Sequence, residues 1–334
     1  MPGSRVCMRL LAVAALTVAA LGSSSHAATK FRIGIAAPTV NMLPLWMGEN
    51  AGLFQARGLD VEIVNTDGGS RGLAEVGTGR LEAMTVGLSA TIDANGKGGD
   101  YRLIASGANT MSFRFFGAKG IGSAASLKGK TVGVSAFGSE SDSAASLALK
   151  QLGLQRSEVK VVESGGTLRR LEALKSGALA ATALNEPADT EAQREGLPLL
   201  ADLKANLPWI FTAIVVDRRY LGAHREEVKN FLRAYVEAIY VALSQPERAQ
   251  GVLAAEFKDF SPQTVQATYA DFKARVPRDA APSQEGARTM LRELPALGAA
   301  VKSRNVGDYV DDSLISELRR EGFFDAMKTK YRVD

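Results

Sequence analysis

Asp67-Gly68-Gly69-Ser70-Arg71-Gly72-Leu73, with Gly79-Arg80-Leu81-Glu82-Ala83 behind it, recurs 98 positions later as Gly165-Gly166-Thr167-Leu168-Arg169-Arg170-Leu171 with Gly177-Ala178-Leu179-Ala180-Ala181. Gly68, Arg71, Leu73, Gly79, Leu81 and Ala83 fall on identical residues. Each copy reads as a β-rich run, a glycine loop, a helix, a glycine stop and a second strand. At a shift of 99, Arg32-Ile33-Gly34-Ile35-Ala36 meets Thr131-Val132-Gly133-Val134-Ser135, so the first strands of the two halves correspond as well. Any two β-loop-α units can resemble each other by chance, and the matched order of two separate segments weighs against that alternative. The pattern predicts two similar lobes.

Outward from the repeat, short β-rich runs alternate with helical segments from Lys30 to about Asp202, which is the pattern of an α/β fold with mostly parallel strands. The expected strands are Phe31 to Ala36, Leu59 to Thr66, Met84 to Ser89, Tyr101 to Ala105, Ser112 to Ala118, Thr131 to Phe137, Val159 to Ser164, Leu179 to Leu184, Leu197 to Asp202 and Phe211 to Asp217. Helices are expected at Leu45 to Ala56, Arg71 to Thr78, Ser141 to Leu152, Leu168 to Ser176 and Pro187 to Arg194. After Tyr220 the pattern becomes helical. Glu226 to Ser244, Pro246 to Phe257, Pro262 to Arg275, Gln284 to Leu297 and Asp311 to Glu321 read as amphipathic helices bounded by Pro or Gly.

The other end of the chain restricts the chemistry. Arg5 and Arg9 precede the apolar run Leu10 to Leu21, and Ser25-His26-Ala27 follows with small residues at the positions a signal peptidase reads. Twelve residues are too few to span a bilayer, which takes about 20, so 1–27 is expected to be a cleavable signal peptide. The 334 residues carry a formal charge of +4, and loss of Arg5 and Arg9 brings it to +2. The basic pairs Arg169-Arg170, Arg218-Arg219 and Arg319-Arg320 are scattered and have no aromatic row among them, so nucleic acid is not an expected partner. From Ala28 onward there is no cysteine and a single histidine, His224. Disulfides, thiol nucleophiles and His or Cys metal clusters are thereby excluded, and no cofactor is expected.

In open α/β sheets, ligands sit beyond the carboxyl ends of the strands. The loops there are rich in glycine and hydroxyl residues: Thr39-Val40-Asn41, Asp67 to Ser70, Ser89-Ala90-Thr91, Ser135 to Ser143, Gly165-Gly166-Thr167 and Asn185-Glu186-Pro187. Ser70, Ser89, Ser141 and Thr167 also stand where helix N-caps belong. Together at one rim they favour a binding cleft, with Trp46 or Trp209 as a possible wall. Gly68-Gly69-Ser70-Arg71-Gly72 matches the G-x-S-x-G elbow of serine hydrolases, with Ser70 as nucleophile. Such a nucleophile needs a base, and the available His224 opens an amphipathic helix beside Glu226 and Glu227. The glycine loop is also repeated without a histidine, which suits a shared cradling role better than catalysis. No phosphate-binding glycine motif is present.

Several further segments carry a family resemblance that covers nearly all of the chain after Ala28. They are Leu43-Pro44-Leu45, Gly52-Leu53-Phe54, Gly58-Leu59-Asp60-Val61-Glu62, Leu127-Lys128-Gly129-Lys130-Thr131-Val132-Gly133-Val134, Asn185-Glu186-Pro187, Tyr220-Leu221 and Phe231-Leu232-Arg233-Ala234-Tyr235. In order and spacing the chain resembles the periplasmic substrate-binding proteins of ABC importers, in the group of aliphatic-sulfonate, taurine, nitrate and thiamine-precursor binders. The resemblance implies a two-lobe Venus-flytrap fold of the type II periplasmic binding class, with extra C-terminal helices. Crossovers near Ala118 and Phe211 would make lobe 1 of 28–117 and 212–334, and lobe 2 of 118–211. It implies a non-enzymatic monomer in the periplasm that delivers a small organic solute, a sulfonate-like anion favoured, to an inner-membrane permease and its ATPase. A sensory ligand-binding protein not tied to import is the related alternative. The implied contacts are Thr39, Asn41, Gly69, Ser70, Ser89, Ala90, Ser135, Gly138, Ser139, Ser141, Asn185 and Glu186, to which Trp46 is added as a wall. Carboxylates in these loops, Asp67, Glu140, Asp142 and Glu186, would turn the preference toward a neutral or cationic ligand if they faced inward. The thiamine-pyrimidine synthases of the same superfamily use His and Cys chemistry that this chain lacks.

Overall fold

The computed structural model of the chain describes residues 28–204, 207–297 and 300–333; the expected signal peptide, 1–27, lies outside them. The first lobe begins with β1 (Thr29–Ile35), α1 (Leu43–Asn50), β2 (Leu59–Asn65), α2 (Gly69–Gly77), β3 (Ala83–Val86), α3 (Leu88–Gly96) and β4 (Tyr101–Thr110). The second holds β5 (Arg114–Gly117), α4 (Ala124–Leu127), β6 (Thr131–Val134), α5 (Glu140–Gln151), β7 (Lys160–Glu163), α6 (Thr167–Lys175), β8 (Ala181–Leu184), α7 (Ala188–Arg194) and β9 (Leu199–Asp202). The chain returns to the first sheet with β10 (Pro208–Asp217) and ends in α8 (Arg218–Ala223), α9 (Arg225–Ser244), α10 (Pro246–Glu256), α11 (Pro262–Arg275), α12 (Gln284–Glu293), α13 (Ser313–Arg320) and α14 (Phe323–Tyr331). Among the described residues, no helix is long and apolar enough to cross a membrane.

The two five-stranded sheets share one topology, β2-β1-β3-β10-β4 and β7-β6-β8-β5-β9. In each, three strands pair in parallel, and the strand that has just crossed from the other lobe enters antiparallel. Four strands of each sheet therefore run one way and one is reversed, which makes the sheets mixed. The repeat is visible in three dimensions. α2 and α6 occupy residues 98 apart, as do β3 and β8. A Cβ on Gly34 would come within 2.8 Å of Leu81, and one on Gly133 within 2.3 Å of Leu179, so in both first strands a glycine lies where the repeated leucine crosses.

The chain passes between lobes after β4 and returns between β9 and β10. Boundaries at 117/118 and 211/212 therefore fall at the end of one strand and inside another. β5 belongs to the second sheet and β10 to the first, because hydrogen-bond pairing decides membership and a hydrophobic run does not show its partner. From lobe 1, the Arg275 guanidinium of α11 donates to the Thr110 and Met111 carbonyls and the Ser112 hydroxyl, which fixes the first crossing.

The largest apolar cluster joins β1, β2 and α1 to the C-terminal helices. Phe231 of α9 is stacked between Phe31 (4.5 Å between ring centroids) and Phe54 (5.5 Å). A second cluster runs through β3, α3, β4 and β10 into β5, β6 and α5, so the core is continuous across the joint. Several helices depart from the sequence expectation. Met84 to Ser89 was expected as one strand, but β3 ends at Val86 and α3 starts at Leu88. Residues 88–92 of that helix are all buried, so it shows no amphipathic period at its start. The short helices α4 and α8 and the C-terminal α14 likewise have no counterpart in the sequence pattern.

Candidate functional site

The parallel strands of both sheets end at the seam between the lobes, and there a small cavity encloses about 90 Å3. Lobe 1 lines it from the loop after β1, the N-terminus of α2, and the turn from β3 into α3. Lobe 2 lines it from the β6–α5 loop, the N-terminus of α6 and the residue after β8, and the joint adds Phe113, Phe211 and Thr212. This is the strand-end position that the topology dictates.

Of the thirteen residues singled out from sequence, Thr39, Gly69, Ala90, Ser135, Ser139, Ser141 and Asn185 line this cavity. The hydroxyls of Ser135, Ser139 and Ser141 form a triangle with edges of 2.9, 2.9 and 3.0 Å. The other six are placed elsewhere. Trp46 is buried in lobe 1, edge-on to Phe257 with centroids 5.7 Å apart, and is no cleft wall. Asn41 is buried in the turn before α1 with its amide nitrogen unpartnered. Ser70 is inside α2, its hydroxyl enclosed and unpartnered. Ser89 faces Glu140, and Glu186 pairs with Lys204 at 3.1 Å. Gly138 packs against Asp93 of lobe 1 and donates its N–H to Asp142.

The expected N-caps also move. α2, α3 and α6 follow Gly68, Gly87 and Gly166, none of which has a side chain to cap with, while α5 is capped by Ser139. Ser70, Ser89, Ser141 and Thr167 therefore lie within the first turns of their helices. Two caps come from the opposite lobe. Glu140 of lobe 2 accepts from the Ser89 N–H (2.7 Å) and hydroxyl (3.1 Å) of α3, and Asp67 of lobe 1 accepts from the Gly166 N–H of α6 (2.7 Å).

Of the four carboxylates in question, only Glu140 lines the cavity. Asp142 pairs with Arg156 at 2.6 Å, and Asp67 and Glu186 are engaged as described. Burial pushes Glu140 up to about 7, against the stabilising hydrogen bonds from Trp209 and Ser89. Trp209 Nε1 donates to it at 2.8 Å, so this tryptophan braces the wall.

The residue that sequence reasoning missed is Arg170. It is 2% exposed, lines the cavity, and donates to Thr182 Oγ1 (3.1 Å) and to the carbonyls of Gly165 (2.7 Å) and Ala183 (3.0 Å). Burial lowers its pKa to about 10, against the opposing charge of nearby Asp67, and among the described residues no carboxylate forms an ion pair with it. Beside it the Thr167 hydroxyl is buried without a partner. The signal lay in the repeat: position 170 aligns with Gly72, which in lobe 1 packs against Met84, and that mismatch puts a cation in one lobe only. No group of three or more His, Cys, Asp or Glu among the described residues is placed to hold a metal ion.

A family model described as NMT1/THI5 like matches residues 39–249. No curated protein matches the chain in sequence. Among solved structures, one from Bordetella bronchiseptica RB50 is 21% identical with a TM-score of 0.79, covering 88% of this chain and 98% of that one. The alkanesulfonate-binding protein SsuA from Xanthomonas axonopodis pv. citri, bound to MOPS, is 18% identical with a TM-score of 0.71 (85% and 98% covered). The periplasmic nitrate-binding protein NrtA from Synechocystis is 14% identical with a TM-score of 0.69 (88% and 89% covered). At these identities the likeness is one of fold.

Proposed function

The chain belongs to the NMT1/THI5-like family, and on that premise we propose that it is a periplasmic solute-binding component of an ABC importer. It captures a small organic anion, sulfonate-like in its chemistry, between its lobes and delivers it to an inner-membrane permease and ATPase. The observation that carries this reading is Arg170, a buried cation at the inter-lobe cavity without a carboxylate partner among the described residues. Buried charges are ordinarily paired, and here an anionic group in the cavity supplies the pair. The unpartnered Thr167 hydroxyl offers a further hydrogen bond, and the N-termini of α2 and α6 add favourable dipole ends. Glu140 does not reverse this preference, because both its oxygens already accept from Ser89 and Trp209.

The energetics suit capture and release. Micromolar affinity is about −8 kcal/mol, and charge-assisted hydrogen bonds at ~1.5 to 3 kcal/mol each reach it after ordering costs. The test is ligand-induced thermal stabilisation, screened over sulfonates, nitrate, carboxylates, amines and pyrimidines. An anion at 100 times its Kd is expected to add about 2.7 kcal/mol. Stabilisation by amines alone would overturn the anion assignment, and no response to any class would overturn the receptor reading.

A further inference from the structure

The two carboxylates that reach across the seam do for the lobes what side-chain caps do for single helices. A helix leaves its first N–H groups without intrahelical partners. α3 and α6 both start after a glycine, so neither is capped by its own N-cap side chain. Glu140 and Asp67 cap them from the opposite lobe, on two sides of one cavity. The N-cap glycines make room: a Cβ on Gly87 would stand 2.3 Å from Glu140 Oε1, and one on Gly166 would stand 3.1 Å from Asp67 Oδ1. Asp67 is delivered by a left-handed backbone (φ 49°), a conformation that aspartate tolerates better than most residues. These reciprocal contacts arise from positions that are not equivalent in the repeat, since Asp67 aligns with Gly165.

We propose that Asp67 and Glu140 are positioning residues for solute binding, a pair of latches that draw the lobes together by capping each other's helices and so pre-assemble the closed cavity. Each latch exchanges water for a hydrogen bond between a side-chain carboxyl group and a backbone amide as the lobes meet. Apparent affinity scales with the fraction of molecules in the competent closed state, so the latches raise the affinity by favouring closure. The effect on affinity rests on the receptor reading, whereas the effect on lobe separation does not.

Solution X-ray scattering of the solute-free chain tests the proposal with three variants beside the wild type. Asp67→Gly removes one carboxylate at a position where glycine accepts the positive φ. Glu140→Ala removes the other. Gly166→Ala keeps both carboxylates and has an ordinary backbone (φ −62°), and its nearest new contacts are Ala37 and Asp67 of the opposite lobe at 3.0 and 3.1 Å. It therefore obstructs closure while leaving the fold of lobe 2 intact. The expected result is a larger radius of gyration for all three variants, and an affinity for a bound solute weakened roughly 10-fold per lost latch. Identical scattering from all four proteins overturns the proposal. Expansion of Gly166→Ala alone also overturns it, because lobes that meet without help from the carboxylates would behave that way. Since scattering needs no solute, failure of every solute to bind removes the receptor reading and leaves the latch standing.

Discussion

Lys204 holds its ammonium 2.8 Å from the carboxylate of the fully buried Asp189, where the chain crosses back from lobe 2 to lobe 1. The same ammonium lies 3.1 Å from Glu186 and 3.2 Å from Asp271 on α11. Arg114, just past the other crossing, reaches Asp189 at 3.1 Å and Asp202 at 3.0 Å. Both crossings thus share one buried carboxyl group. Although burial opposes it, the charges of Asp189, Glu186 and Asp271 hold the Lys204 ammonium above its ordinary pKa.

Lys204→Met is therefore expected to destabilise the fold well beyond a surface substitution. It leaves Asp189 and Glu186 buried beside each other with Arg114 as the remaining partner cation. Breaking a buried pair from one side costs about 3–5 kcal/mol. Urea denaturation measures this, and a loss below about 1 kcal/mol would show that the cluster is wet rather than buried.

Arg170→Met is expected to weaken anion binding by about 100-fold or more, since truncating one partner of a buried charge pair costs roughly 2–5 kcal/mol. Arg170→Lys keeps a charge but cannot reproduce the fork to Thr182, Gly165 and Ala183, and should fall between. Calorimetric titration with the solute found by screening decides it. Unchanged affinity in Arg170→Met would mean that the cation only ties α6 to β8.

Glu140 makes stability depend on pH with a definite sign. Burial raises its carboxyl from 4.5 to about 7 in the folded protein, and its contacts are Ser89, Ala90 and Trp209, with no charged group among them. The native state keeps a proton that the unfolded chain has released between those values. Its contribution is full below about pH 4.5 and is lost as pH rises through about 7. Relative to Glu140→Gln, the wild type should be more stable at pH 5 than at pH 8. A difference that stays flat between the two would place the carboxylate in water.

Much of the fold was legible because it is written twice. Gly79 and Gly177 end their helices with φ of 74° and 77°, and Leu81 and Leu179 cross equivalent glycines, so one copy checks the other. What stayed hidden depends on partners remote in sequence. Nothing local says that β10 pairs with β4, or that Glu140 caps a helix 51 residues upstream. The cavity was half legible for the same reason. Glycine and serine loops mark a strand-end rim, but whether Trp46 faces the cleft or Phe257 is decided by α10, after which Phe257 comes. Arg170 was passed over because it reads as one half of an exposed basic pair with Arg169, and only the fold turns one of the two inward.

Phe231→Ala is expected to cost about 3–5 kcal/mol, the usual price of an aromatic truncated in a core. Its ring is fully buried between Phe31 and Phe54, and no repacking within lobe 1 replaces both faces. Lobe 2 does not use this ring, so the loss should appear in denaturation midpoints rather than in the solute's identity. A change in which solutes bind would link α9 to the cleft.

Ser70 separates binding from hydrolysis. Its hydroxyl is buried in the first turn of α2 and bonds to nothing, whereas a serine nucleophile must be held by its base. His224 is committed elsewhere, stacked on Tyr220 with centroids 4.4 Å apart and with Nδ1 3.4 Å from Glu227. A fluorophosphonate is accordingly expected to leave Ser70 unlabelled. Ser70→Ala should be neutral or stabilising by about 1 kcal/mol, because it deletes a buried polar atom that no partner satisfies. Covalent labelling at Ser70, or a stability loss on substitution, would mean that the hydroxyl has a partner and a purpose, and would return the glycine–serine elbow to the chemistry its spacing first suggested.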